Sequence, residues 1–160
     1  MIVSALGAAA LHPQRSRSCW SRKTGTVTVR IAVLAIDARD VSRVAEFWAA
    51  ALGWDAWPDP DEGGVSLAPR GSAGQSGVGG PSIDVMPVPE AKAGKNRLHF
   101  DLRADGTTQA EEVDRLLALG ATRVDVGQNP DVSWVVLADP EGNEFCVLQR
   151  SVQEVAATSQ

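Results

Sequence analysis

The sequence is short of the residues on which several protein classes depend. It has two cysteines, two histidines and no tyrosine among 160 residues. Cys19 and Cys146 are too few for a disulfide framework or a zinc ribbon. No apolar run approaches the roughly 20 residues that span a bilayer, so a membrane is not expected as a partner. Reduced thiols and the lack of a membrane segment predict a cytoplasmic protein.

Acidic residues dominate all but the first 30 positions. Residues 1–30 carry five of the 15 basic residues and none of the 20 acidic ones. The rest of the chain is therefore strongly acidic and repels phosphate backbones, so nucleic acid is not expected as a partner. Residues 1–28 lack a periodic apolar pattern, which predicts a disordered or misannotated leader. One folded domain is predicted at residues 29–151, followed by a flexible tail at 152–160.

The folded part contains the same pattern twice. Residues 34–39 (LAIDAR) match residues 98–103 (LHFDLR), and the Leu-Gly pair at 52–53 matches the pair at 119–120. Each half begins with a strand, continues with a helix that ends at Leu-Gly, and has room for three more strands. The sequence therefore predicts two related halves, at about 29–90 and 95–151.

Both predicted helices have start and stop signals. Asp40 is placed to cap the first helix and Gly53 to end it. Thr108 and Glu111 have the spacing of a capping box for the second helix, which Gly120 ends. The glycine-rich residues 71–80 lack the Gly-Lys-Ser/Thr ending of a phosphate loop, which argues against nucleotide binding. The remaining strands are predicted at residues 54–57, 65–68, 82–86, 122–126, 133–137 and 144–148.

Four segments resemble the glyoxalase/bleomycin-resistance superfamily, also called the vicinal oxygen chelate superfamily. They are residues 40–54, 95–102 (KNRLHFDL), 119–121 and 139–148 (DPEGNEFCVL). The resemblance implies an α+β fold, in which two βαβββ modules form an eight-stranded open cup with helices outside. It also implies a small-molecule ligand inside the cup. A homodimer is expected, because members of the superfamily commonly pair their modules between chains and open sheet edges need cover.

The resemblance further implies a divalent metal, held by side chains on the first, fourth, fifth and eighth strands. His99 matches the fifth-strand ligand, and Asp84 lies near the fourth-strand position. The first strand offers only Val33 or Ala35, neither of which binds metal. Cys146 replaces the usual eighth-strand glutamate. The predicted metal ligands are therefore His99, Asp84 and Cys146.

Strand alternation also turns His99 toward the cup. Leu98, Phe100 and Leu102 are expected to pack under the helices, so His99 and Asp101 point to the opposite face, where we predict a catalytic role for both. Cys146 can reach the same face. A histidine, a cysteine and one carboxylate, from Asp84, Asp101 or Glu144, suit a zinc-like ion best.

Three alternatives remain open for these residues. His99 is a neutral, hydrogen-bonded residue and Cys146 a small buried hydrophobe in the first. In the second, His99 activates Cys146 as a nucleophile. In the third, Asp101 forms a plain ion pair with Arg97 or Arg103.

The indoles of Trp54, Trp57 and Trp134, with Cys146, are candidate ligand-binding groups, because an indole offers apolar area and one hydrogen-bond donor. Two functions follow. The first is a protein that binds an apolar or aromatic metabolite or drug, with the usual metal site incomplete. The second is a metal-dependent lyase, isomerase or dioxygenase of the vicinal oxygen chelate type that uses His99.

Overall fold

A computed structural model describes residues 29–72 and 80–158 of the chain. The predicted leader at residues 1–28 and most of the glycine-rich residues 71–80 lie outside these ranges. Eight strands and three helices are present in the described residues. No helix in these ranges combines the length and the apolar character that a membrane crossing requires.

The first half contains four strands and one helix: β1 (Val33–Ala38), α1 (Val41–Leu52), β2 (Asp55–Pro58), β3 (Val65–Ala68) and β4 (Ser82–Pro87). The strands form one sheet with the order β1-β4-β3-β2, in which β1 is parallel to β4 and the other pairs are antiparallel. Asp40 caps α1 by accepting a hydrogen bond from the Arg43 N–H, and Gly53 ends the helix at φ 65°, as predicted. Such a left-handed residue is most easily a glycine.

The second half contains β5 (Asp101–Leu102), α2 (Gln109–Ala118), β6 (Thr122–Arg123), β7 (Val135–Ala138), β8 (Glu144–Val147) and a final helix, α3 (Val152–Ala157). Its sheet repeats the arrangement of the first, with the order β5-β8-β7-β6 and a parallel β5–β8 pair. Thr108 and Glu111 form the predicted capping box at the start of α2. The shared strand order confirms the α+β fold with two βαβββ halves and open sheets.

Two features differ from the sequence predictions. Residues 152–157 form the helix α3, where a flexible tail was expected. Ser151 caps this helix and makes a capping box with Glu154, but six residues are too few to show a helical apolar pattern. Leu98 is 87% exposed, so its predicted packing under the helices is wrong. Because β5 begins only at Asp101, strand alternation does not extend back to this position.

The two halves share one core, which is centred on α1. Trp48 is fully buried in α1 and packs edge-on against Phe100 and Phe145 of the second half, with ring centroids 5.2 and 5.1 Å apart. The Trp48 Nε1 donates to the Asp139 carboxyl group at 3.1 Å. Asp139 opens the DPEGN turn between β7 and β8, and Glu141 of this turn accepts hydrogen bonds from the backbone at the start of α1. This hairpin turn therefore also holds the two halves together.

Candidate functional site

The candidate site residues lie on β5, on β8 and in the segment that leads into β5. Asp101 lies opposite Cys146 in the parallel pairing of these strands. Phe100, just before β5, packs against Trp48 in the core and its carbonyl accepts a hydrogen bond from the Cys146 N–H at 2.8 Å, whereas the side chains of its neighbours His99 and Asp101 are about half exposed. His99, Asp101 and Cys146 therefore line one cleft over the second sheet.

Three donor atoms of different chemistry converge in this cleft. The His99 Nε2 is 3.3 Å from the Asp101 Oδ1, and Cys146 lies beside Asp101 on the neighbouring strand. One ligand atom from each residue lies within 4.8 Å of the other two. The side chains of His99 and Asp101 are 43% and 51% exposed, whereas Cys146 is buried. Solvent thus reaches the imidazole and the carboxylate far more easily than the thiol.

The surroundings of Cys146 disfavour the second alternative, in which Cys146 is an activated nucleophile. Burial, and then the neighbouring Asp101 carboxylate, raise the pKa of the Cys146 thiol to about 11, although the Lys95 ammonium acts in the opposite direction. Without a bound cation the thiol is therefore protonated at neutral pH. Because the thiolate is the nucleophile, a buried and protonated thiol is a poor one.

The ion-pair alternative for Asp101 takes a different form from the predicted one. Asp101 pairs with His99, while the Arg103 guanidinium donates to the Arg150 carbonyl at 2.8 Å. The neighbour of Asp101 is therefore a histidine two residues away and not an arginine, and the contact is an ion pair only in the protonated form of the imidazole.

The cleft has room for a small organic molecule. Its volume is about 470 Å³, which lies within the usual range for ligand sites. Trp134 stands in its wall with 40% of its surface exposed. Val136 on β7 and Leu148 directly after β8 add apolar area to the wall. Three further wall residues could not be predicted from the sequence, because irregular segments carry no periodic signal. They are Lys95, in the connection between the halves, and Val126 and Gln128, in the loop before β7.

Glu144, which was one possible metal carboxylate, fastens the segment that leads into β5. Its carboxylate accepts hydrogen bonds from the Lys92 ammonium and from the Asn96 N–H, both at 3.0 Å. Partial burial by itself raises the pKa of Glu144, but the Lys92 and Asn96 donors outweigh this effect and hold the pKa below its usual range. Glu144 borders the cleft, yet it is already engaged by a lysine.

The other predicted site residues lie in the first half. Asp84 on β4 accepts a hydrogen bond from the Ser66 hydroxyl at 2.8 Å and does not line the cleft. The structure therefore does not bring together the predicted metal set of His99, Asp84 and Cys146, and Asp101 supplies the carboxylate instead. Trp54 lines a separate depression of about 500 Å³ beside α1. Trp57 is half-buried on β2, opposite Ser66, and borders neither depression.

The three converging residues suit a zinc-like cation, and they differ from the set of metal ligands that the resemblance implies. Ala35 and Asp84 are register partners in the first sheet, so the first-strand position offers no donor. His99, Asp101 and Cys146 provide nitrogen, oxygen and sulfur, and zinc accepts all three, whereas Mg²⁺ and Mn²⁺ prefer oxygen ligands. Such an ion would act as a Lewis acid on the oxygen atoms of a bound molecule.

Comparison with known proteins gives one family match. Residues 33–148 match the family model described as a glyoxalase-like domain. No curated protein matches the chain.

Several solved structures are similar. The fosfomycin resistance protein FosX from Mesorhizobium loti is 13% identical, with a TM-score of 0.56, over 80% of this chain and 97% of that one. A FosX variant from Listeria monocytogenes, complexed with Mn(II) and dihydroxypropylphosphonic acid, is 10% identical, with a TM-score of 0.56, over 84% and 100%. The antibiotic-binding protein TnmS3 from Streptomyces sp. CB03234 is 18% identical, with a TM-score of 0.50, over 79% and 100%. At these identities the similarity shows a common fold.

Proposed function

The chain belongs to the glyoxalase-like domain family, and from this premise we propose that it is a small-molecule-binding protein. Its ligand is an apolar or aromatic metabolite or drug, held in the cleft over the second sheet. The exposed Trp134 beside apolar walls carries this proposal, because an indole in a concave site offers a stacking surface and one N–H donor. Two proteins of similar fold, the antibiotic-binding protein TnmS3 and the fosfomycin resistance protein FosX, support a small-molecule ligand.

A titration with aromatic antibiotics and planar aromatic metabolites tests this proposal. Metal-free protein is titrated calorimetrically with each compound of the panel, and the best binder is repeated with Trp134→Ala. We expect the variant to lower the affinity about fivefold, because a stacked aromatic pair is worth about 1 kcal/mol. Trp57→Ala is the matched control, since Trp57 does not border the cleft. Equal losses in both variants, or a panel without any binder, would contradict the proposal.

A second candidate is a metal-dependent lyase, isomerase or dioxygenase of the vicinal oxygen chelate type. The observation that favours it is the convergence of His99 and Asp101 with Cys146 at the cleft. The complex of a FosX variant with Mn(II) supports a cation in a protein of this fold. In this candidate His99, Asp101 and Cys146 would hold the cation, which would act as a Lewis acid on oxygen atoms of the bound molecule. Turnover of substrates with adjacent oxygens by the zinc-loaded protein, lost in His99→Gln, is the expected result.

We also propose that the protein is a cytoplasmic homodimer. Within the described residues, each sheet leaves two edge strands without a neighbour, and unpaired edges favour association. Cys146 is a free thiol, which suits a reducing compartment. Fractionation of the producing cells tests the location, and sedimentation velocity tests the dimer.

A further inference from the structure

We propose that His99, Asp101 and Cys146 form a thiol-containing site for a zinc-class divalent cation, with all protein ligands from the second half of one chain. This proposal deepens the second candidate function and rests on its donor set, but it does not require catalysis. It departs from the metal set implied by the resemblance, in which first-strand and fourth-strand residues of the other half also bind the metal. A zinc-class cation here means one that binds sulfur as well as nitrogen and oxygen, such as Zn²⁺ or Co²⁺.

The spacing of the donor atoms supports a tetrahedral site. Zinc bonds to histidine nitrogen and carboxylate oxygen are about 2.0–2.1 Å long, so two such ligands on a tetrahedron stand about 3.3 Å apart. The His99 Nε2 and the Asp101 Oδ1 are separated by 3.3 Å. The Cys146 ligand atom lies within 4.8 Å of both, so a small movement of the exposed His99 and Asp101 side chains is enough to bring all three ligand atoms within bonding distance of one ion.

The backbone holds these three ligands in place. His99 and Asp101 are two residues apart and line the same cleft, and Cys146 stands opposite Asp101 in the next strand. Phe100, between the two ligands, is anchored against Trp48. All three ligands belong to the second half, so no residue of the first half is needed as a ligand.

The chemistry of the set selects among cations. An imidazole, a carboxylate and a thiolate together suit Zn²⁺, while a sulfur ligand at the position of an oxygen ligand weakens binding of Mg²⁺ and Mn²⁺. Three protein ligands leave one position of a tetrahedral zinc open, as in catalytic sites. The imidazole and carboxylate are accessible to solvent, so an ion can enter from the cleft, where Trp134 stands in the wall.

The proposal is tested with the metal ions alone. Full-length protein, freed of its purification tag and stripped with a chelator, is titrated calorimetrically with Zn²⁺ and, separately, with Mn²⁺. We expect one Zn²⁺ per chain. Cys146→Ser should weaken Zn²⁺ binding at least about 10-fold, since even outer partners of a metal site are worth that much, and should change Mn²⁺ binding far less. Co²⁺ should give a thiolate-to-metal absorption band in the wild type that Cys146→Ser lacks.

The chain offers matched controls for both side-chain types. Cys19 and His12 are the only other cysteine and histidine, so Cys19→Ser and His12→Gln should keep the Zn²⁺ affinity and the Co²⁺ band. His99→Gln should lose both. Its exposed position makes it a suitable second variant if Cys146→Ser does not fold. No stoichiometric Zn²⁺ binding, binding unchanged in both site variants, or binding lost in the controls would overturn the proposal.

Failure here is distinguishable from failure of the small-molecule proposal. The aromatic panel is titrated against metal-free protein and compared with Trp134→Ala, whereas Zn²⁺ is titrated without any organic compound. A protein that binds an aromatic compound but no Zn²⁺ contradicts only the metal site. Binding of Zn²⁺ without any aromatic ligand contradicts only the cleft.

Discussion

At the residue scale, the same cysteine has opposite chemistry with and without a cation. Alone, the Cys146 thiol is buried beside the Asp101 carboxylate, and both effects favour its protonated form. A bound cation favours the thiolate instead, because a coordinating thiol is deprotonated. Reactivity of Cys146 toward an alkylating reagent therefore reports directly on its surroundings.

We expect the thiol of folded, metal-free protein to react at least about 100-fold more slowly at pH 8 than in urea-denatured protein. A rise of the pKa from 9.0 to about 11 lowers the thiolate fraction by about this factor. The rate should increase as the pH approaches 11, where the folded thiol ionises. Iodoacetamide labelling of a Cys19→Ser background, followed by mass spectrometry, measures Cys146 alone. Equal rates in the folded and denatured states would mean that the thiol is neither buried nor perturbed.

At the element scale, the capping box of α2 is the local feature best defined by both sequence and structure. The Thr108 hydroxyl accepts from the Glu111 N–H at 3.3 Å, and the Glu111 carboxylate accepts from the Thr108 N–H at 3.1 Å. Thr108→Ala should lower the free energy of unfolding by about 1 kcal/mol, because it removes the cap. Urea denaturation measures the change. Ser42→Ala removes an exposed hydroxyl inside α1 and should leave stability nearly unchanged; an equal effect there would refute the capping role.

The same box makes part of the stability depend on acid pH. Hydrogen bonds from the Thr107 hydroxyl, the Thr108 N–H and the Thr108 hydroxyl lower the pKa of Glu111 from 4.5 to about 2. A carboxylate with a lowered folded pKa stabilises the fold above its unfolded pKa, and this contribution is lost as the pH falls from about 4.5 to about 2. Glu111→Gln should therefore lose less of its melting temperature than the wild type between pH 5 and pH 2. Parallel slopes for the two proteins would contradict this assignment.

Elements with local signals were predictable, and features that depend on contacts between elements were not. Asp40, Gly53, Thr108 and Glu111 act through neighbours within a few residues, so the sequence alone located both main helices. Leu98 was misplaced because the start of β5 depends on how far β8 extends beside it. The choice of Asp101 over Asp84 in the donor cluster depends on which sheet each carboxylate joins. Pairing between distant strands decides this, and no local pattern records it.

At the scale of the whole molecule, one buried hydrogen bond joins the two halves. Asp139 is buried and accepts from Trp48 of α1, as well as from the Glu141 and Asn143 N–H groups and the Asn143 side chain of its own turn. The link also passes near the site, because Trp48 packs on Phe100 between the two cleft residues His99 and Asp101. Separation of the halves should therefore disturb the cleft.

Trp48→Phe should lower the free energy of unfolding by about 2 kcal/mol, because it removes a buried hydrogen bond to a carboxyl group and some ring contact. Chemical denaturation followed by far-ultraviolet circular dichroism measures this. The matched control is Trp57→Phe on half-buried β2, which should cost less than about 1 kcal/mol. If the two substitutions cost the same, the Asp139 contact is not a special link between the halves.

Association of two copies would depend on strand edges that are exposed within the described residues. Edge strands β1 and β5 each lack a neighbour on one side, and apolar residues just before them are exposed, with Ile31 at 68% and Leu98 at 87%. A second copy that covers these edges would bury both residues, since unpaired edges and exposed apolar groups favour association. We therefore expect a dimer at tens of micromolar in sedimentation velocity, and Leu98→Glu should shift it to monomer, because a buried unpaired carboxylate is costly.

Leu98 makes no core contact in the single chain, so the variant should fold. Val152→Glu, an exposed apolar position on α3, is the control and should remain dimeric. A wild-type protein that sediments only as monomer, or a Leu98→Glu variant that stays dimeric, places the interface elsewhere or excludes it.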